Sequence, residues 1–117
     1  MENILIVVSD VQLLGDLSDC CLDQGLTPHG LTHGSYALPW IGERAAGAII
    51  LDTQAAGDNG AAFYRAIGAS CSAPLFMLTQ NNSETEKLET ANLRVKAFFS
   101  KPFEAVAVVS QIKSLLS

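Results

Sequence analysis

Residues 3–8 read NILIVV, an almost wholly apolar run that is rich in β-branched side chains. Such a run is typical of a strand that is buried on both faces of a parallel sheet. Residues 46–51 (AGAIIL) and 74–78 (PLFML) repeat the same character further along the chain. We therefore predict that these three segments are central strands of one parallel sheet.

Amphipathic segments separate these strands. Residues 11–24 have apolar side chains at helical spacing with aspartates between them, and Gly25 ends the pattern. The apolar positions of this first predicted helix are Leu13, Leu14, Leu17, Cys20 and Cys21. Residues 35–44 and 61–70 are predicted to form the next two helices, and the capping box that begins at Ser83 predicts a fourth.

Two weaker strands complete the pattern. Residues 26–31 contain Pro28, which cannot donate to a strand ladder, so this strand is expected at a sheet edge. Residues 95–100 supply the fifth strand, and Pro102 begins the last helix. One side of that helix is predicted to carry Val106, Val109, Ile112 and Leu116. Five strands alternating with five helices predict a doubly wound α/β fold, a five-stranded parallel sheet of order 2-1-3-4-5 with flavodoxin-like topology.

Length and composition describe an ordinary globular domain. The chain has 117 residues, of which 49% are hydrophobic and 16% charged. We expect a single domain over residues 1–117, either a whole protein or a domain excised from a longer one. The longest apolar stretch, residues 45–51, is far shorter than the roughly 20 residues that span a bilayer. We therefore predict no membrane association and a cytoplasmic location.

The charge distribution argues against contact with nucleic acid. The formal net charge is −5, and no lysine or arginine precedes Arg44, whereas six acidic residues do. An acidic first third repels phosphate backbones, so direct nucleic-acid binding by this segment is not expected. The three cysteines, Cys20, Cys21 and Cys71, form no C-x-x-C pair and are interpreted as reduced thiols.

Polar side chains follow four of the predicted strands. Asp10 comes shortly after the first strand, Asp52 after the third, Thr79 after the fourth and Lys101 after the fifth. Ligands of such sheets bind beyond the carboxyl ends of the strands, so these groups are expected on one rim. Two neighbouring carboxylates suit Mg²⁺, and a carboxylate can attack phosphorus while a lysine neutralises phosphoryl charge. The rim therefore predicts a site for Mg²⁺-assisted phosphoryl chemistry.

In this order, the motifs resemble those of the receiver domains of two-component response regulators, over essentially the whole chain. The resemblance rests on residues 6–10 (IVVSD), on Leu51-Asp52 with Gly60 eight residues later, on Leu78-Thr79, and on residues 100–103 (SKPF). It implies a chemotaxis-regulator-like fold and a signalling domain rather than an enzyme with a separate substrate.

The resemblance also implies residue roles. Asp52 would accept a phosphoryl group from a histidine kinase or a histidine phosphotransfer protein, and Lys101 would pair with that group. Asp10 and Asp52 would bind Mg²⁺ directly, with Gln54 contributing its main-chain carbonyl. Thr79 and Phe98 would change conformation together on phosphorylation. The signal would leave through the fourth helix, the fifth strand and the fifth helix toward a fused or separate output domain.

Some residues depart from the family pattern. Ser9 stands where the family has a second acid, which predicts weaker Mg²⁺ binding. Ala55-Ala56 replaces a Met-Pro pair, and the bulk of Gln80 after Thr79 is expected to narrow access to Asp52. These departures leave open an atypical pseudo-receiver, a module that binds proteins without being phosphorylated. A flavodoxin-like redox protein is a third hypothesis, but residues 9–14 (SDVQLL) lack its phosphate-binding loop.

Asp10 also has a purely structural interpretation. Aspartate is favoured at the N-cap of a helix, and Asp10 immediately precedes the first predicted helix. The sequence leaves both roles open for this residue.

Overall fold

The computed structural model describes residues 2–43, 45–56, 60–70, 72–81, 83, 95–101 and 103–116. In these ranges, strands β1 to β5, helices α1 to α4 and two 3₁₀ turns follow one another as β1 (Asn3–Val7), α1 (Val11–Asp23), β2 (Thr27–Leu31), a 3₁₀ turn (Gly34–Tyr36), α2 (Ala37–Glu43), β3 (Ala48–Asp52), a 3₁₀ turn (Thr53–Ala56), α3 (Gly60–Ser70), β4 (Leu75–Thr79), β5 (Ala97–Ser100) and α4 (Ala105–Leu116). Of the predicted fourth helix, Ser83 is helical and the remainder lies outside the described residues. Our α4 is therefore the fifth helix of the prediction.

None of the helices in these ranges has the length and apolar character needed to cross a membrane.

The five strands form one parallel sheet of order β2-β1-β3-β4-β5. This confirms the predicted doubly wound order. Pro28 lies in the edge strand β2, where one side of the strand needs no ladder partner. The register places Val7 of β1 opposite Leu51 of β3, and Thr79 of β4 opposite Ser100 of β5. The carboxyl ends of the central strands therefore meet along one edge.

Two apolar clusters cover the two faces of the sheet. Successive side chains of a strand point to opposite faces, so Ile4 and Ile6 join one cluster while Leu5 and Val7 join the other. The first cluster contains the buried residues Leu17, Cys21, Val108, Val109 and Ile112 of α1 and α4. The second contains Ala37, Trp40, Ile41, Tyr64 and Ile67 of α2 and α3. Helices on both faces explain why β1, β3 and β4 are apolar apart from one polar residue at an end of each strand.

Three of the four residues predicted for the buried face of α4, Val109, Ile112 and Leu116, pack on the core, and the prediction is wrong at Val106. Val108, Val109 and Ile112 are fully buried, whereas Val106 is 56% exposed. Val106 and Val108 lie about 200° apart around the helix, so they cannot both face the sheet. The closely spaced valines of this segment fit two helical faces, and contact with the sheet buries the face that contains Val108.

The cysteines that the structure describes are free thiols, as expected. Burial raises the pKa of the Cys21 thiol to about 11. Burial, together with Asp23, Asp16 and Asp19, also raises the pKa of Cys20. Cys71 lies outside the described residues. Because the thiolate is the reactive form, these raised pKa values disfavour reaction of Cys20 and Cys21 at neutral pH.

Gly25 ends α1 in a conformation that favours glycine. Its φ is 76°, and the chain there makes hydrogen bonds from Gly25 N to the Leu22 carbonyl (3.1 Å) and from Leu26 N to the Cys21 carbonyl (2.8 Å). We expect Gly25→Ala to lower the free energy of unfolding by about 1 kcal/mol, because a Cβ disfavours positive φ. Gly15→Ala is the matched control, since Gly15 is an exposed residue within α1 with no atom near the new Cβ, and it should raise stability by about 1 kcal/mol. Urea unfolding that gave both variants the same sign would contradict this account.

Candidate functional site

Asp52 is the last residue of β3, and its side chain is fully buried. Its Oδ1 accepts a hydrogen bond of 3.0 Å from the main-chain N–H of Gln54, which closes the turn Thr53–Ala56 onto the strand end. Burying a carboxylate costs free energy unless donors or positive charge surround it. Asp52 therefore lies in an environment where a nearby cation would be strongly favoured.

Asp10 caps helix α1. Its Oδ1 accepts hydrogen bonds from Gln12 N (3.0 Å) and Leu13 N (3.3 Å), so the structural interpretation of this residue is correct. The side chain is nonetheless exposed. Strands β1 and β3 are neighbours, with Val7 opposite Leu51, so Asp10 and Asp52 both follow adjacent strand ends. Capping fixes the position of the Asp10 carboxylate without enclosing it.

Thr79 and Lys101 are linked through the backbone. Thr79 ends β4 with its side chain fully buried, and its hydroxyl donates to the Phe99 carbonyl over 3.3 Å. The main-chain N–H of Lys101 donates to the Thr79 carbonyl over 3.0 Å. The position of Lys101 is thus fixed relative to β4 by its backbone, independently of its side chain.

An open cleft of about 540 Å³ lies at this edge of the sheet. Its lining residues are Asp10, Gln12, Leu13, Asp16, Lys101 and Phe103. The structure thus brings the predicted residues Asp10 and Lys101 together at one cleft. Asp16 also lines the cleft, and sequence reasoning missed it because it lies on α1 and not at a strand end. Helical periodicity alone identified Asp16 only as a polar position.

The remaining candidates lie around the same edge. Phe98 is a half-buried residue of β5, opposite Met77, and it packs against the apolar cluster beneath α2 and α3. Gln54 is exposed within the turn after Asp52, and Ser9 is exposed directly before Asp10. Gln80 is half-buried. The conformational change of Phe98 and the steric effect of Gln80 stay predictions.

The donor atoms at this edge fit Mg²⁺. Asp10 and Asp52 offer carboxylate oxygens, and Gln54 offers a main-chain carbonyl, all of them hard ligands. Within the described ranges, no group of three or more His, Cys, Asp or Glu side chains could hold a metal ion. A site with two carboxylates suits Mg²⁺ in particular, because this ion keeps several of its waters. The donor set does not resemble a zinc or calcium site.

The model of the response regulator receiver domain matches residues 4–113 of the chain. The chain belongs to this family. Receiver domains are signalling domains, so family membership favours the signalling interpretation over the flavodoxin-like redox hypothesis.

Curated relatives of this receiver domain include longer regulators. The sensory transduction protein RegX3 of Mycobacterium tuberculosis is 26% identical over 116 residues, which are 99% of this chain and 51% of that protein. The transcriptional regulatory protein BaeR of Escherichia coli is 26% identical over 113 residues, which are 96% of this chain and 47% of that protein. The chain thus spans about half the length of the curated relatives that it matches.

Solved structures share the fold of this receiver domain. A CheY-like receiver domain protein from Methanospirillum hungatei superposes with a TM-score of 0.84 at 19% identity, covering 99% of this chain and 94% of that one. The response regulator TrrA from Thermotoga maritima, solved in complex with Mg²⁺ and beryllofluoride, superposes with a TM-score of 0.83 at 20% identity, covering 98% of this chain and 99% of that one. The receiver-domain fold is therefore present over nearly the whole chain.

Proposed function

We propose that this receiver domain accepts a phosphoryl group from the phosphohistidine of a histidine kinase or a histidine phosphotransfer protein onto Asp52, in a Mg²⁺-dependent reaction. The observation that carries the proposal is the fully buried carboxylate of Asp52 at the end of β3. Asp10 follows the neighbouring strand on one side, and Thr79 with Lys101 lies on the other. These groups supply what phosphoryl transfer to a carboxylate requires.

The transfer forms one bond and breaks another. A carboxylate oxygen of Asp52 attacks phosphorus, an acyl phosphate forms, and the P–N bond to the donor histidine breaks. The imidazole leaves with the electron pair of that bond and takes up a proton. Because the turn Thr53–Ala56 fixes Asp52 through its Oδ1, the nucleophile is oriented before the donor arrives.

Charge at the phosphoryl group is neutralised from two directions. Lys101 lines the cleft, and its ammonium can pair with phosphoryl oxygens. Mg²⁺, held by Asp10, Asp52 and the Gln54 carbonyl, would neutralise charge on those oxygens when bound.

The signal would begin at the Thr79 hydroxyl. That hydroxyl now donates to the Phe99 carbonyl on β5. Donation to a phosphoryl oxygen on Asp52 would break this bond and release a constraint on β5 next to Phe98. We expect the change to reach the surface formed by the predicted fourth helix, β5 and α4, and from there an output domain, fused or separate.

The donor protein would dock against α1. The cleft beside Lys101 is bordered by Asp16, and a second groove beside it is lined by Leu13, Asp19 and Phe103. Acidic and apolar groups side by side suit a helix that carries basic residues around an apolar centre. Such a donor would bring its phosphohistidine to the same edge as Asp52.

The proposal is tested by titrating the protein with Mg²⁺ and then with beryllofluoride, a phosphoryl analogue, while recording amide NMR shifts. Wild-type protein should show Mg²⁺-dependent shifts at Asp52, Thr79, Phe98 and Lys101. Asp52→Asn should show none of the beryllofluoride shifts. Absence of shifts in wild-type protein at millimolar Mg²⁺ would overturn the proposal and favour a pseudo-receiver that acts only by binding.

Ser9 provides a prediction about metal affinity. Ser9→Asp adds a carboxylate beside Asp10 and should strengthen Mg²⁺ binding, because one more negative charge faces the cation. We expect about a tenfold gain, measured by Mg²⁺ titration of Trp40 fluorescence or of amide shifts. Ser110→Asp, on the exposed side of α4, is the matched control and should leave the affinity unchanged. Equal affinity of Ser9→Asp and wild-type protein would contradict the prediction.

A further inference from the structure

Gly34 lies where two turns approach closely. It begins the 3₁₀ turn that follows β2 and is buried. A Cβ built at this position would lie 3.0 Å from the Ala55 carbonyl oxygen and 2.9 Å from Cζ of Phe63. Among the described glycines, positive φ is found at Gly25 and not at Gly34. A side chain at Gly34 is therefore disfavoured by lack of space and not by backbone conformation.

The Ala55 carbonyl belongs to the turn that leaves Asp52. In that turn, the N–H of Gln54 donates to Asp52 Oδ1, and Ala55 is only 1% exposed. The Asp52 carboxylate therefore binds one side of the turn, and Gly34 lies close to the other side, where a Cβ would come within 3.0 Å of the Ala55 carbonyl oxygen. Gln54, whose carbonyl is the proposed main-chain ligand of Mg²⁺, lies between these two contacts.

We infer that Gly34 is a positioning residue for the metal site: the lack of a side chain lets the Gly34–Tyr36 turn close against the Ala55 carbonyl and hold the Gln54 carbonyl in place. The inference rests on the proposed function, because it assigns Gly34 a role toward the same Mg²⁺ ion. Gly34 has no side chain that could ligate the ion, so its effect would pass through the turn Thr53–Ala56.

The two contacts of Gly34 have different consequences. The ring of Phe63 is the far end of a side chain and can rotate away from a new methyl group. The Ala55 carbonyl is backbone and can move only with the turn, which would carry the Gln54 carbonyl with it. Close packing transmits such a shift of a few tenths of an ångström. The contact with Ala55 should therefore determine metal affinity.

The test compares Mg²⁺ affinity in wild-type protein, Gly34→Ala, Phe63→Leu and the double variant, by fluorescence and by amide NMR. Gly34→Ala should weaken Mg²⁺ binding about tenfold, as is usual when a group that supports a metal ligand is disturbed. It should also shift the amide signals of Gln54 and Ala55 before metal is added. Gly42→Ala is the matched control, since that Cβ meets no atom within 4 Å, and it should bind Mg²⁺ as wild type does. Urea unfolding of each variant separates the affinity change from any loss of stability.

Each outcome bears on the inference. The double variant should stay as weak as Gly34→Ala, because removing the Phe63 ring leaves the contact with the Ala55 carbonyl. Restored affinity in the double variant, or unchanged affinity in Gly34→Ala, would overturn the inference while leaving the proposed function standing. If wild-type protein binds no Mg²⁺, both fall together. If Gly34→Ala does not fold, the double variant, in which the Phe63 clash is relieved, gives the same readout against Phe63→Leu.

Discussion

Asp52→Asn should lose all phosphoryl uptake and yet be more stable than the wild-type protein. Asparagine keeps an oxygen that can accept from the Gln54 N–H, so the turn after β3 is preserved. It removes a negative charge from a fully buried position. We expect the free energy of unfolding in Mg²⁺-free buffer to rise by roughly 1–3 kcal/mol. Phosphoryl uptake ends because an amide is not a nucleophile toward phosphorus.

Two measurements check this prediction. Intact mass after incubation with a small acyl phosphate donor and Mg²⁺ reports phosphoryl uptake, and urea unfolding with and without Mg²⁺ reports stability. Added Mg²⁺ should stabilise the wild-type protein more than the variant, because a ligand stabilises the state that binds it. Asp23→Asn makes the same chemical change at the exposed last residue of α1; it should leave phosphoryl uptake unchanged and raise stability by less than about 1 kcal/mol, since it removes a negative charge from the negative end of the helix dipole. A destabilised Asp52→Asn, or one that still gains a phosphoryl group, would assign Asp52 a structural role.

The sheet was predictable because its strands are buried on both faces. Continuous apolar runs such as residues 3–8 leave few alternatives to a central parallel strand, and Pro28 identified the edge. Ligands of such sheets bind beyond the carboxyl ends of the strands, and this rule selected Asp10, Asp52, Thr79 and Lys101 from the sequence alone. Where the local pattern was ambiguous, the sequence did not determine which face of a helix is buried. In α4 both Val106 and Val108 fit an apolar face, and only contact with the sheet separates them.

The supporting residues of the site could not be predicted in the same way. Asp16 lines the cleft through the orientation of α1, and Gly34 meets Ala55 through the approach of two turns. Both depend on contacts between segments that are distant in sequence. For Asp10, the sequence left a helix cap and a metal ligand open, and the hydrogen bonds from the N–H groups of Gln12 and Leu13 establish the cap. The sequence shows the type and order of the site residues, whereas the contacts that position them are formed between segments distant in sequence.

Lys101→Ala should slow phosphoryl uptake without weakening Mg²⁺ binding. The main-chain N–H of Lys101 donates to the Thr79 carbonyl, and alanine keeps that bond, so the end of β5 should hold its position. Loss of the ammonium removes a positive charge that would meet the phosphoryl oxygens. We expect phosphoryl uptake to slow roughly 100-fold, as is typical when a group that stabilises transition-state charge is deleted.

The metal affinity of the same variant should change in the opposite direction. Lys101 lines the cleft with Asp10 and Asp16, and its positive charge opposes a cation bound there. Without it, Mg²⁺ should bind about two- to threefold more tightly. Lys96→Ala, an exposed residue before the opposite end of β5, is the control and should leave both quantities unchanged. Weaker Mg²⁺ binding by Lys101→Ala would show that the lysine organises the site rather than pairing with the phosphoryl group. Only the loss of an organising residue would slow phosphoryl uptake and weaken Mg²⁺ binding at once.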